Sequence, residues 1–173
     1  MRVASFVIRL LLACTLLLPL ASYPAAAAGE TVAFHIGAYA PGTIIVRTSE
    51  RRLYLVLGND TALRFPVGVG KAGKQWQGSA EIVAKFIKPA WMPPADVKRD
   101  NPRIPNYIPG GVPGNPMGAA AMVLTGGEYA IHGTNRPSSI GGYVSYGCIR
   151  MFNQDILSLY QRVSIGTPVV VMR

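Results

Sequence analysis

Between residues 88 and 118 the chain is studded with prolines, from Pro89 through Pro116. Proline fixes φ and offers no backbone N–H, so this stretch cannot be central sheet. Strand patterns lie on both sides of it, which makes it a long connection inside one folding unit. A connection of that length in a compact domain is usually functional or mobile. The reading is a structureless loop that walls or covers a site.

On either side the pattern is β. Residues 43–47 and 52–57 are rich in Ile, Val and Leu and are separated by the polar turn Thr48, Ser49, Glu50 and Arg51. Gly58, Asn59 and Asp60 mark the next turn, and residues 62–69 continue what reads as an antiparallel meander. Residues 81–87, 119–124 and 129–131 predict further strands. One helix is predicted. Asn153 is its candidate N-cap, and Asp155 sits in the first turn, where the helix dipole favours a negative charge. Ile156, Leu159, Tyr160 and Val163 recur at helical spacing. Gly166 ends it and residues 167–172 read as a closing strand. Half the residues are apolar and only 14% are charged, which excludes a disordered chain, and 19 Gly with 14 Pro fit a β-rich domain with many turns. The expected fold class is therefore mostly β, a β-rich α+β domain with one main helix.

Residues 1–28 read as a secretory signal peptide. Arg2 and Arg9 precede or enter an apolar run, and Ala26 and Ala28 supply a small-residue cleavage pattern before Gly29. Pro19 and Pro24 and the small-residue tail argue against an uncleaved membrane anchor. Leu11, Leu12, Ala13 and Cys14 loosely resemble a lipoprotein attachment box, but the apolar run continues past Cys14, which argues against lipidation. Cleavage would leave a lead-in over residues 29–42, a single domain over 43–173, and no stable membrane insertion. Two of the 17 basic residues would leave with the leader, so the net charge falls from +9 to 15 − 8 = +7. Cys148 would then be the sole cysteine. In an exported chain, where cysteines are usually paired, a lone thiol is either inert and buried or reactive. Nucleic acid is a poor partner for such a chain; a cell-wall peptide with free carboxylates suits its positive charge better.

His132, Gly133 and Thr134 end a predicted strand. Sixteen residues after His132 comes Cys148, in the segment Ser145, Tyr146, Gly147, Cys148, Ile149, Arg150 that precedes the helix. A thiol attacks as thiolate, and an imidazole can supply that activation. Gly147 leaves room for a carbonyl beside the sulfur, and the amides of Gly147 and Cys148 are candidate oxyanion donors. The backbone carbonyl of Gly133 is a candidate partner for the other imidazole nitrogen. Each residue alone also has a structural reading, the cysteine as a small buried hydrophobe and the histidine as a satisfied polar group. Zinc is poorly supported, since one Cys and two His fall short of a structural set. His35 has no neighbouring signature and reads as surface. Arg150 is a solvated charge or a carboxylate clamp, and its place two residues past the thiol favours the clamp. Tyr54, Tyr107, Tyr129, Trp76 and Trp91 read as packing, and Lys71, Lys74, Lys85 and Lys88 as solubilising charges.

At these residues the chain resembles the L,D-transpeptidase family, the YkuD-type catalytic domain. The family's His-Gly-Thr strand end matches His132, Gly133 and Thr134, and its Ser-x-Gly-Cys-x-Arg segment matches residues 145–150. Further matching pieces lie at residues 51–55, 66–71, 115–118, 139–141, 151–155 and 166–169, in order, so the resemblance covers nearly all of residues 43–172. It implies a β-sandwich or barrel-like catalytic domain with one main helix after the catalytic cysteine. It also implies Cys148 as nucleophile and His132 as base, with Ser145, Tyr146, Gly147, Gly133 and Arg150 as oxyanion or substrate-binding residues. The substrate implied is a peptidoglycan stem peptide, cut between diaminopimelate and D-alanine, with a thioester passed to a second stem as a 3→3 cross-link in the periplasm or cell envelope. No metal or organic cofactor is implied. Many members carry His directly before the Gly-Cys pair, where this chain has Tyr146. Two further expectations compete. The same thioester can pass to a lysine of an envelope protein or to water, or the domain can be a wall-binding module without catalysis.

Overall fold

The computed structural model describes residues 29–173 except 36, 38 and 127. The expected leader, residues 1–28, lies outside the described residues. The chain is mostly β with one main helix. Runs of apolar residues give β2 (Ile44–Arg47), β3 (Arg52–Gly58) and β4 (Thr61–Pro66), paired antiparallel in the expected meander. Arg51, Asn59 and Asp60 take positive φ in the turns between them. The lead-in is more than a tether: β1 (Glu30–Ala33) adds an antiparallel edge to β4. Its four residues carry no apolar alternation strong enough to mark a strand.

After the short β5 (Val69–Gly70), the ten-residue β6 (Gly78–Ile87) links two halves of the sheet. Its first residues pair with the closing strand β11 (Pro168–Met172), which runs parallel to β2. Past an irregularity at Ile82–Ala84, β6 pairs instead with β7 (Ala120–Leu124), which pairs with β8 (Ala130–His132). The strand β10 (Ile149–Arg150) closes this half parallel to β8, and β9 (Tyr143–Ser145) pairs with β5 separately. The sheet order is β1-β4-β3-β2-β11-β6-β7-β8-β10.

Both halves send apolar side chains into one core. Ile44, Leu53, Phe65, Ile82, Met122, Ile131, Ile149 and Met151 are wholly buried in it. Burial of a side chain of this size contributes about 1.5–3 kcal/mol, so the core holds the two halves together. The helix α2 (Asn153–Arg162) seals it with Ile156 and Leu159. Its last turn is capped from an unexpected quarter. The ammonium of Lys85 donates to the carbonyls of Tyr160 (2.7 Å) and Val163 (2.5 Å) and lies 4.1 Å from the Tyr160 ring centroid. Lys85 is therefore a helix cap, where the sequence suggested a solubilising charge. Among the described residues, no helix is long and apolar enough to cross a membrane.

Residues 88–118 depart from the structureless reading. A bridge joins Trp91 to Ile108, and a short helix α1 (Ala95–Asp100) stands between them. Asn115, buried in the loop, ties its two ends together. Its carboxamide N–H groups donate to Pro89 and Pro109 carbonyls at 2.8 and 2.9 Å, and its oxygen accepts from the Met117 amide.

Candidate active site

The site grows from the pairing of β8 with β10. In that parallel pair Ile149 is opposite Ile131 and Arg150 is opposite His132. Side chains alternate along a strand, so the two isoleucines enter the core while His132 and Arg150 stand together on the other face. The backbone of Arg150 is held on its other edge by two hydrogen bonds with Gly68, and the Met151 amide donates to the His132 carbonyl. Cys148 directly precedes β10, which delivers its thiol to the same face.

The turn before Cys148 is shaped by its neighbours. Ser145, almost fully buried, donates its hydroxyl to the Cys148 carbonyl (2.6 Å) and accepts the Gly147 amide (3.1 Å). Trp76 donates its indole N–H to the Gly147 carbonyl at 3.0 Å and stacks on Tyr129, with ring centroids 5.0 Å apart. Gly147 sits at φ +122°, and a Cβ there would lie 2.2 Å from the Tyr129 ring. Only glycine fits both the backbone and the space. The Gly147 amide is thus spent inside the turn. No described hydrogen bond engages the Cys148 amide, so of the two amides anticipated from the sequence it is the one free to donate.

His132 is buried and directs Nδ1 at the Gly133 carbonyl, 2.6 Å away. A carbonyl can only accept, so Nδ1 carries the proton and Nε2 is left basic. Burial, then the Arg150 charge, push the His132 pKa down to about 4, against favourable contacts with the Gly133 and Pro116 carbonyls. Burial pushes the Cys148 thiol up, with the Ala130 backbone and Arg150 pulling the other way. The resting pair is therefore neutral thiol and neutral imidazole. Desolvation outweighs the nearby donors here, so activation falls to the imidazole at the moment of attack.

These residues line a cleft of about 500 Å³ whose far wall is α1 with Trp91, and whose rim includes Lys74, Tyr146 and Glu128. Arg150 also lines it, half-buried, and its buried Nε has no hydrogen-bond partner. No acidic side chain forms an ion pair with it among the described residues. Among those residues, too, no group of three or more His, Cys, Asp or Glu side chains could hold a metal ion.

The sequence matches the YkuD family, the L,D-transpeptidase catalytic domain, over residues 41–171. The chain belongs to this family. It is 39% identical over 138 residues to the probable L,D-transpeptidase ErfK/SrfK of Salmonella typhimurium, covering 75% of this chain and 43% of that one. The chain thus spans less than half the length of that relative. Its fold is similar to that of an L,D-transpeptidase from Mycobacterium smegmatis, with TM-score 0.60 at 19% identity over 76% of this chain and 58% of that one. It is also similar to a Brucella melitensis structure described as a probable carnitine operon oxidoreductase CaiA. There the TM-score is 0.54 at 43% identity, over 83% of this chain and 92% of that one.

In this L,D-transpeptidase domain, Cys148, His132, Arg150 and Tyr146 share the cleft, while Gly133 and Ser145 act from behind it through backbone contacts. His35 is elsewhere, exposed and 3.7 Å from Asp60. Three residues with a part in the site escaped the sequence reading. Trp76 and Tyr129, read as packing, support the turn that carries the thiol. Asn153, read as an N-cap, is the first residue of α2, after Phe152. Its oxygen instead accepts from the amides of Ala119 and Thr134, both at 3.0 Å, and so joins the end of the long loop to the segment after His132. Gly118 and Gly133 make room for it, since a Cβ on either would meet that oxygen within 2.3 Å. An asparagine flanked in space by two glycines leaves no signature in sequence spacing.

Proposed function

We propose that this domain is a cysteine acyltransferase of the cell envelope that takes its acyl group from a peptidoglycan stem tetrapeptide. The observation that carries the reading is the cleft itself, in which one thiol, one neutral imidazole and one unpartnered guanidinium face the same space. The buried Nε of Arg150 lacks a hydrogen-bond partner, and a substrate carboxylate would supply one.

The sulfur of Cys148 attacks the carbonyl between diaminopimelate and D-alanine as Nε2 of His132 takes the thiol proton. The imidazolium that forms is welcomed by the Gly133 and Pro116 carbonyls. The Cys148 amide donates to the oxyanion, as preorganised donors do in acyl transfer. The C–N bond then breaks, the proton passes from His132 to the departing amine, and D-alanine leaves a thioester behind. Arg150 holds a substrate carboxylate during the acylation step. A side-chain amine of a second stem then attacks the thioester, giving a 3→3 cross-link and restoring the thiol. The sequence of residues 1–28 supports work outside the cytoplasm.

The test is incubation of the purified protein with disaccharide tetrapeptides, read by mass spectrometry. A dimer lacking one D-alanine supports cross-linking. Tripeptide alone points to water as acceptor, and transfer only to a lysine peptide points to protein anchoring. Unchanged tetrapeptide, with a folded protein, refutes the proposal.

A further inference from the structure

The cleft contains a second cation, Lys74, and its charge is occupied from within. Lys74 is ion-paired with Asp96 of α1, and both line the same space as Cys148 and His132. Three features make this pair exchangeable. First, α1 buries none of its residues, so it is held in place by polar contacts and not by a core. Those contacts are Lys74 with Asp96, Lys71 with Asp100 at 3.4 Å, and the Tyr146 hydroxyl donating to Asp100 at 2.6 Å. Second, the groups are partly exposed, and pairs of that kind are individually weak. Third, Asp96 also pairs with Arg99 at 2.7 Å, one turn along α1. Losing Lys74 would therefore not leave its carboxylate alone. Arg150 beneath has no such internal partner.

We infer that Lys74 is a carboxylate-reading residue of the donor cleft, covered in the free protein by Asp96, and that the cleft selects stem peptides bearing two free carboxylates. One carboxylate sits on Arg150 beside the thiol. The other, on the diaminopimelate side chain, takes the place of Asp96 on Lys74. The inference rests on the acyl-transfer reading above and adds the substrate form. It also accounts for Tyr146. With its hydroxyl on Asp100 and the Lys71 ammonium 3.8 Å from its ring centroid, Tyr146 keeps α1 attached to the nucleophile side while Asp96 lets go.

The test compares D-alanine release from two synthetic tetrapeptides that differ only in whether the diaminopimelate side-chain carboxylate is free or amidated. The wild type should favour the free form roughly three- to fivefold in kcat/KM, carried by KM, the scale of one partly exposed ion pair. Lys74→Met should lower kcat/KM for the free peptide to the value for the amidated one, and Lys74→Arg should restore the preference. Asp96→Asn should lower KM for the free peptide, because the internal competitor is gone. A preference that survives Lys74→Met, or a KM that rises in Asp96→Asn, overturns the inference and leaves acyl transfer standing. A folded wild type that releases no D-alanine from either peptide overturns both.

Discussion

Replacing Gly147 by alanine tests the packing that positions the thiol. Two independent costs meet at this residue. At φ +122° an L side chain is strained, at a cost of about 1–3 kcal/mol. The added Cβ would also lie 2.2 Å from Cε1 of Tyr129. That ring is backed by Trp76 in a stack tilted by only 6°, so it cannot swing away cheaply. Overpacking of this kind adds about 1–3 kcal/mol. The sum, roughly 2–6 kcal/mol, is a large share of the 5–15 kcal/mol typical of a domain. It corresponds to a fall of roughly 10 °C in Tm for a chain of this size. Urea denaturation of Gly147→Ala in the wild-type and Tyr129→Leu backgrounds separates the two costs. The steric part, about 1–3 kcal/mol, should vanish when the ring is gone, while the backbone part persists. An equal cost in both backgrounds, or a cost below about 0.5 kcal/mol in the first, refutes the reasoning.

Four further outcomes follow from the same structure. Because burial and Arg150 hold His132 near pKa 4, kcat/KM for D-alanine release should keep its base well below the ordinary imidazole range; an acid limb centred near 6.5 contradicts this. Burial raises the Cys148 thiol, so iodoacetamide alkylation of the free protein should still be accelerating at pH 9, and a plateau below pH 8 would show a preformed thiolate. Two buried groups act oppositely on stability. His132, depressed to about 4, favours folding above pH 6.5 and loses that contribution as pH falls toward 4, whereas buried Asp155, raised by desolvation to about 6, favours folding below 3.8 and loses it as pH rises toward 6. Urea unfolding should thus be nearly flat between pH 6 and 4 in the wild type, and should slope by about 2 kcal/mol in Asp155→Asn, being less stable toward pH 4; a flat profile in the variant contradicts this. Finally, Lys85→Met removes the donor of both hydrogen bonds to the end of α2 and should destabilise by about 1–2 kcal/mol in urea; a change below about 0.5 kcal/mol would make the contact idle.

Strands with continuous apolar runs, such as β3 and β7, were legible because most side chains in them are buried, on both faces of the sheet. The helix α2 was legible from the spacing of Ile156, Leu159, Tyr160 and Val163. The carbonyl of Gly133 proposed for the imidazole is the one that accepts from it. What was hidden depends on partners distant in sequence. The helix α1 has no apolar face to betray it, and its stabilising charges, Lys71 and Lys74, lie more than twenty residues away. Asn153 carries the residue type of a cap, yet its oxygen is drawn to two amides left over by the loop and by the segment after β8. The neutral state of the Cys148–His132 pair was equally out of reach, because burial sets it and burial is not written in a motif.

The most direct measurement is peptide mapping by mass spectrometry after rapid acid quench of the wild-type protein with a stem tetrapeptide. The account predicts an added mass equal to the tetrapeptide acyl group without D-alanine, confined to the fragment containing Cys148 and absent from Cys148→Ala. D-alanine release that proceeds with no adduct at any time, and persists in Cys148→Ala, would contradict it.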